Sequence, residues 1–178
     1  MSTNAATKWA IDPAHSEIGF KAKHLMITNV SGKFDKFSST VETDGDDFTT
    51  AQVTFTAEAA SINTGSEQRD GHIKGPDFFD AEKYPQLKFV STKWEKVKDN
   101  QFRLTGDLTI RDVTKAVTLD VEAGGSAKDP WGNTKAGFSI AGKINRKDWG
   151  LNMNMSLETG GVLVSEEIKI HCEVQFAK

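Results

Sequence analysis

The residues best equipped for chemistry stand almost side by side: Arg69, Asp70 and His72. An arginine can hold an anionic headgroup, and an Asp–His pair can move protons. No nucleophile and no metal set accompanies them, so Asp70 reads first as a structural partner of Arg69 or His72 that pins its segment in place. Arg69 and His72 stay open as headgroup contacts. The histidines His15, His24, His72 and His171 show no helical i,i+4 pair and no accompanying cysteine pair, so they carry no metal signature. Gly124-Gly125 and Gly160-Gly161 precede no helix, as a phosphate loop must, and read as hairpin turns. Cys172 is the single cysteine, so no intrachain disulfide can form; its place in an alternating apolar run makes it a small buried hydrophobe.

These residues must be positioned by strands, because the dominant pattern is a period of two. Ile18, Phe20 and Ala22 alternate with Glu17, Lys21 and Lys23. Ala51 to Ala59 keeps the same rhythm through Val53, Phe55 and Ala57. Phe102, Leu104, Gly106, Leu108 and Ile110 form a third face, and Val117, Leu119 and Val121 a fourth. Ala136, Phe138, Ile140, Gly142 and Ile144 share another, and Ile168 to Phe176 alternates to the end. Phe34 and Phe37 fall out of phase, which a β-bulge between them would restore. Turn residues at Asp44-Gly45-Asp46, Asp99-Asn100 and Asp129-Pro130-Trp131-Gly132-Asn133 separate the runs. About eight long strands result. The longest break is 63–85, where Ser66 to Ile73 is the expected helix: Ser66 can cap it and Gly75-Pro76 ends it.

Open sheets leave edges, and eight strands can close into a barrel whose interior is filled by side chains or holds one small ligand. The inward faces mix Phe20, Phe55 and Phe138 with Ala22, Ala57, Gly106 and Gly142. Small residues either leave a dry space or match larger neighbours, and the pattern leaves both open. By the same phase His24 points inward near a barrel end. Arg146 follows Ile144 inward and needs a partner, Asp148 or a strand-end carboxylate. Trp9 and Trp149 read as plugs of a barrel end.

The chain has 178 residues and a net charge of −3 with both signs dispersed. No basic face recommends nucleic acid, and no stretch is long enough to be membrane-embedded. We expect a short tail at 1–8 and a single domain at 9–178. The opening MSTNAATK has no apolar core of the signal-peptide kind, which points to the cytoplasm, with the periplasm as the alternative if a leader was removed.

Specific motifs add a resemblance. Ile11-Asp12-Pro13-Ala14-His15-Ser16, Ser61-Ile62-Asn63-Thr64 leading to Arg69-Asp70-Gly71-His72-Ile73, Asp77-Phe78-Phe79-Asp80 with Tyr84-Pro85, Gly106-Asp107-Leu108-Thr109-Ile110, and Ile144-Asn145-Arg146-Lys147-Asp148-Trp149-Gly150-Leu151 follow one another in order. From about Trp9 to Phe176 the chain resembles the YceI-like lipid-binding family. Asp112 and Ala116 depart from its usual Gly and Pro, in a turn. The resemblance implies an all-β, eight-stranded antiparallel lipocalin-like barrel with a short helical segment covering one end. It also implies an interior tunnel for an isoprenoid or similar long lipid.

The expected function is therefore a non-enzymatic carrier or store for a polyisoprenoid, an isoprenoid quinone or a similar lipid. No cofactor is required beyond that guest, and a homodimer is compatible with the reading. The expected ligand-binding residues are Phe20, His24, Phe34, Phe55, Leu104, Leu108, Phe138 and Ile140 inside, with Arg69, His72, Phe78 and Phe79 in a cover spanning Ser66 to Phe79. Two other readings stand beside it. One is an enzyme acting on such a lipid, with Arg69, Asp70 and His72 at the mouth. The other is a stress-related structural protein whose barrel is filled.

Overall fold

The computed structural model describes residues 6–24, 28–45, 47–76, 78–151 and 166–178. Among them the alternating runs become β1 (Thr7–Ile11), β2 (Glu17–His24), β3 (Thr28–Phe34), β4 (Phe37–Asp44), β5 (Asp47–Glu58), β6 (Ile62–Asn63), β7 (Gln86–Lys98), β8 (Gln101–Ile110), β9 (Val113–Lys128), β10 (Thr134–Asn145) and β11 (Glu167–Ala177). Thr7 and Lys8, expected in a tail, are already strand, opposite Thr43 and Glu42.

Pairing runs antiparallel through β1-β4-β5-β7-β8-β9-β10-β11 and returns to β1 through Ala10↔Ala177 and Ile11↔Phe176. This is the expected eight-stranded barrel, and closure removes the exposed edge. β2, β3 and β6 extend the staves at one end, with β2 beside β11, β3 beside β2, and β6 beside β3. β1 and β2 are thus one stave broken by the 3-10 turn Pro13–His15, whose N-cap Asp12 accepts from the Ala14 N–H.

Two local expectations are corrected. Phe34 and Phe37 do not flank a bulge. The strand stops at Asp35–Lys36, and β3 and β4 pair with different neighbours, so the phase change marks a break. There the Asp35 N–H donates to the Ser61 carbonyl and Lys36 accepts from the Glu58 N–H. Gly124-Gly125 is no hairpin turn either. It lies inside β9, where Gly125 faces Gly137 and Ala123 faces Phe138, leaving Gly124 as the extra residue of a bulge. Gly125 has φ +96, which a side chain would resist. Gly160-Gly161 lies outside the described residues. A tight turn at Arg111-Asp112 joins β8 to β9 instead, with Arg111 at φ 58.

The two barrel ends differ. One carries the β4–β5, β7–β8 and β9–β10 turns. Inside it Phe138 sits at the centre of an aromatic cluster, 4.9 Å from Phe48, 6.1 Å from Trp94 and 6.2 Å from Phe176, while Trp9 lies 5.1 Å from Phe48. Such spacing suits tilted and edge-to-face rings. Trp9 is fully buried and its Nε1 donates to Thr43 Oγ1 at 3.0 Å, so its one polar atom is satisfied. Trp9 is the plug expected, whereas Trp149 is buried at the opposite end, donating to the Leu108 carbonyl at 2.8 Å.

That opposite end carries α1 (Glu67–Lys74), capped as expected by Ser66, whose Oγ accepts from the Arg69 N–H, and ended at Gly75. The chain then folds back on α1: Phe79 and Ala81 donate N–H bonds to the carbonyls of Ile73 and Lys74. Among the described residues no helix is long and apolar enough to cross a membrane.

Candidate functional site

Between the aromatic cluster and α1 the barrel encloses a cavity of about 360 Å³. Its wall is built from the inward faces of the strands. Phe20 comes from β2, Phe34 from β3, Phe55 from β5, Leu104 and Leu108 from β8, and Ile140 from β10. The cover supplies Arg69, His72, Ile73, Phe78 and Phe79. Phe176 faces the cavity and also packs on Phe138, which marks the floor. A wall of this kind is dry and suits an apolar guest.

The wall corrects the sequence reading in one residue and leaves another undescribed. Phe138 does not reach the cavity; it is spent in the aromatic cluster beneath the floor. His24 ends β2 opposite Thr28, and its side chain lies outside the described residues. The mid-strand glycines do not create the space. A Cβ on Gly106 would lie 2.4 Å from Phe89 Cζ, one on Gly32 2.4 Å from Phe20 Cζ, and one on Gly142 2.4 Å from Leu119 Cδ2. Each is overlaid by a larger neighbour, so for Gly106 and Gly142 the packing alternative holds. Of the small inward residues, Ala22 and Ala57 are the ones that line the cavity.

The cover meets the barrel through rings. Phe79 lies 6.1 Å from Phe34, which lies 5.9 Å from Phe20. Phe78 meets His72 edge-on at 6.1 Å, and the Arg146 guanidinium stands 5.8 Å over its face, a cation–π arrangement. Arg146 is 2% exposed and donates from Nη1 to the Leu151 carbonyl. Burial lowers its pKa from the usual arginine value and the nearby Glu166 charge opposes this; the group stays a cation. The strand-end carboxylate expected beside Arg146 is Glu166, just before β11, whose charge acts on the guanidinium.

Asp70 is buried as the bland reading required, but its partner differs. Its Oδ1 accepts from the Thr64 N–H at 2.9 Å and from Thr64 Oγ1 at 2.5 Å. Arg69 turns to the same residue, with Nε donating to Thr64 Oγ1 and Nη2 to the Thr64 carbonyl, both at 2.8 Å. Thr64 is the junction missed in the sequence: it ends the Ser61-Ile62-Asn63-Thr64 motif ahead of Arg69-Asp70, but the motif does not say which side chains it joins. Asp70 and His72 share no hydrogen bond, so no proton-relay pair is assembled there.

Cys172 faces the same cavity, buried, and burial pushes its thiol up to about 11. A thiol so placed is uncharged and unreactive at neutral pH, as the apolar reading expected. Its neighbour His171 is exposed on the outer face, 3.4 Å from Glu173. Among the described residues no cluster of His, Cys, Asp or Glu could hold a metal ion.

Comparison with known proteins follows the same outline. A family model described as a YceI-like domain matches residues 9–176. A UPF0312 protein of Staphylococcus aureus (strain MSSA476) is 40% identical over 172 residues, covering 96% of this chain and 98% of that one. The crystal structure of a Campylobacter jejuni YceI protein superposes with a TM-score of 0.76 at 39% identity, covering 94% of this chain and 95% of the other. A polyisoprenoid binding domain from Saccharophagus degradans, implicated in plant cell wall breakdown, shares the fold at a TM-score of 0.66 and 15% identity, over 94% of this chain and 97% of its own.

Proposed function

The chain belongs to the YceI-like domain family, and on that premise we propose that it is a non-enzymatic carrier of a long-chain apolar lipid, of the polyisoprenoid or isoprenoid-quinone kind. The observation that carries the reading is the apolar cavity of about 360 Å³ beneath the cover, where a filled core would leave none. In this reading Phe20, Phe34, Phe55, Leu104, Leu108 and Ile140 grip the tail, and Phe78 and Phe79 cover it. Arg69 and His72 meet its polar end. Asp70 is engaged by Thr64 and not by His72, which favours the carrier over the enzyme alternative, and a carrier needs no cofactor beyond its guest.

Affinity should follow apolar area, since each buried methylene contributes about 0.8 kcal/mol. Titration with uncharged isoprenoid alcohols of increasing length tests this. Affinity should rise with length until the cavity is filled and should vary weakly with salt. Binding that ignored length, or that high salt abolished, would overturn the reading.

A further inference from the structure

Among the described residues the charges that border the cavity are of one sign. They are Lys23, Arg69 and Arg146, with His72 beside them and no described carboxylate on the wall. One of these cations is held by a relay that the apolar carrier reading does not need. The Thr64 hydroxyl donates its only proton to buried Asp70, so only lone pairs are left to face Arg69 Nε. The Thr64 carbonyl takes one Nη2 proton. Thr64 therefore occupies the Nε–Nη2 side of the guanidinium. Three of its five N–H groups remain, including the paired Nη1–Nη2 edge that fits two oxygens of one anion. Arg69 is exposed at the rim and lines the cavity, so that edge is open to an incoming group. Fixing the fork in advance lowers the ordering cost of an incoming oxyanion.

We propose that the mouth selects lipids whose polar end is an oxyanion, a carboxylate or a phosphate ester, received by the free edge of Arg69, with Thr64 and Asp70 as positioning residues. The inference rests on the carrier reading and specifies its headgroup.

The test is displacement of the uncharged fluorophore N-phenyl-1-naphthylamine from the full chain at pH 8 by dodecanol, dodecanoate and dodecyl phosphate. The tails are equal, so differences report the headgroup. At least one anion should displace the probe at about tenfold lower concentration than dodecanol. The stronger of the two separates a fatty-acid-like source from a phosphate-ester one. The anion-to-alcohol ratio should fall to about one in Arg69→Gln. It should fall in Thr64→Val and recover in Thr64→Ser, which restores the hydroxyl. A ratio of one in the wild type would overturn the headgroup inference and leave the carrier reading standing. An anion preference untouched by Arg69→Gln would overturn the assignment to Arg69. Failure of every ligand and of the probe to bind would sink the carrier reading and this inference with it. If Thr64→Val does not fold, the Arg69→Gln ratio alone decides.

Discussion

The two ends of this barrel are made from the same alternating strands, yet one is closed and the other is covered. At the closed end Trp9, Phe48, Trp94, Phe138 and Phe176 meet ring to ring, and the polar atom of Trp9 is paired with Thr43. At the covered end the closure is a separate segment, α1 and the turn after it, touching the barrel through Phe78 and Phe79 and carrying Arg69 and His72 at its rim. The difference lies in sequence distance. Rings at the closed end sit on the staves themselves and cannot leave without unravelling the sheet. The cover is joined to the staves by chain at both of its ends and takes no part in the strand pairing of the barrel. Stability should therefore be concentrated at one end and access at the other.

Replacing Trp9 with Ala should have the largest effect, about 3–5 kcal/mol lost in denaturant unfolding, because a buried indole leaves a cavity the closed end cannot collapse. A loss below about 1 kcal/mol would show that this end is not the anchor. Gly106→Ala comes next. Its Cβ would stand 2.4 Å from Phe89 Cζ and 2.6 Å from the Val90 carbonyl, so overpacking should cost about 1–3 kcal/mol. An unchanged melting temperature would mean that Phe89 does not fill the glycine's space.

The double change Phe78→Ser with Phe79→Ser should cost less stability, about 1 kcal/mol per half-buried ring, but should speed release of a fluorescent long-chain ligand about fivefold or more. If stability fell while release stayed constant, the segment would be a structural plug and the contrast between the ends would vanish.

The smallest effect belongs to Asp12, which ties β1 to the turn Pro13–His15. Its carboxylate is held below its ordinary 3.8, first by the hydrogen bond from His15 and further by the Ala14 N–H and by Lys135; burial works against this. A depressed folded pKa contributes stability that is present above 3.8 and is lost as pH falls through the folded value. Asp12→Asn should therefore melt slightly lower than wild type at pH 6, with the gap closing below pH 3.8. A gap that widened on acidification would contradict the assignment.

Much of this was legible in the residues. A period of two across six runs demanded strands, and Ser66 and Gly75 marked the helix to within a residue at each end. What escaped depends on contacts between residues remote in sequence. The break at Asp35–Lys36 and the bulge at Gly124 are set by which neighbour each stave pairs with, and a phase slip in the sequence fits either device. Phe138 shares its phase with Ile140, yet only its height along the barrel decides that it lies beneath the floor. The space lent by glycines went to Phe89 and Leu119 on adjacent staves. One local contact escaped as well: Asp70 takes Thr64, only six residues away, as its partner where the chain passes from β6 into α1.

A carrier of this kind should hold a long lipid in the space between its two ends. Organic extraction of the protein purified without detergent, followed by mass spectrometry, tests it most directly. The extract should contain a long-chain, isoprenoid-type lipid in near-stoichiometric amount, reduced in Phe78→Ser with Phe79→Ser. Extracts free of any lipid, from protein that also fails to take one up when offered, would contradict it.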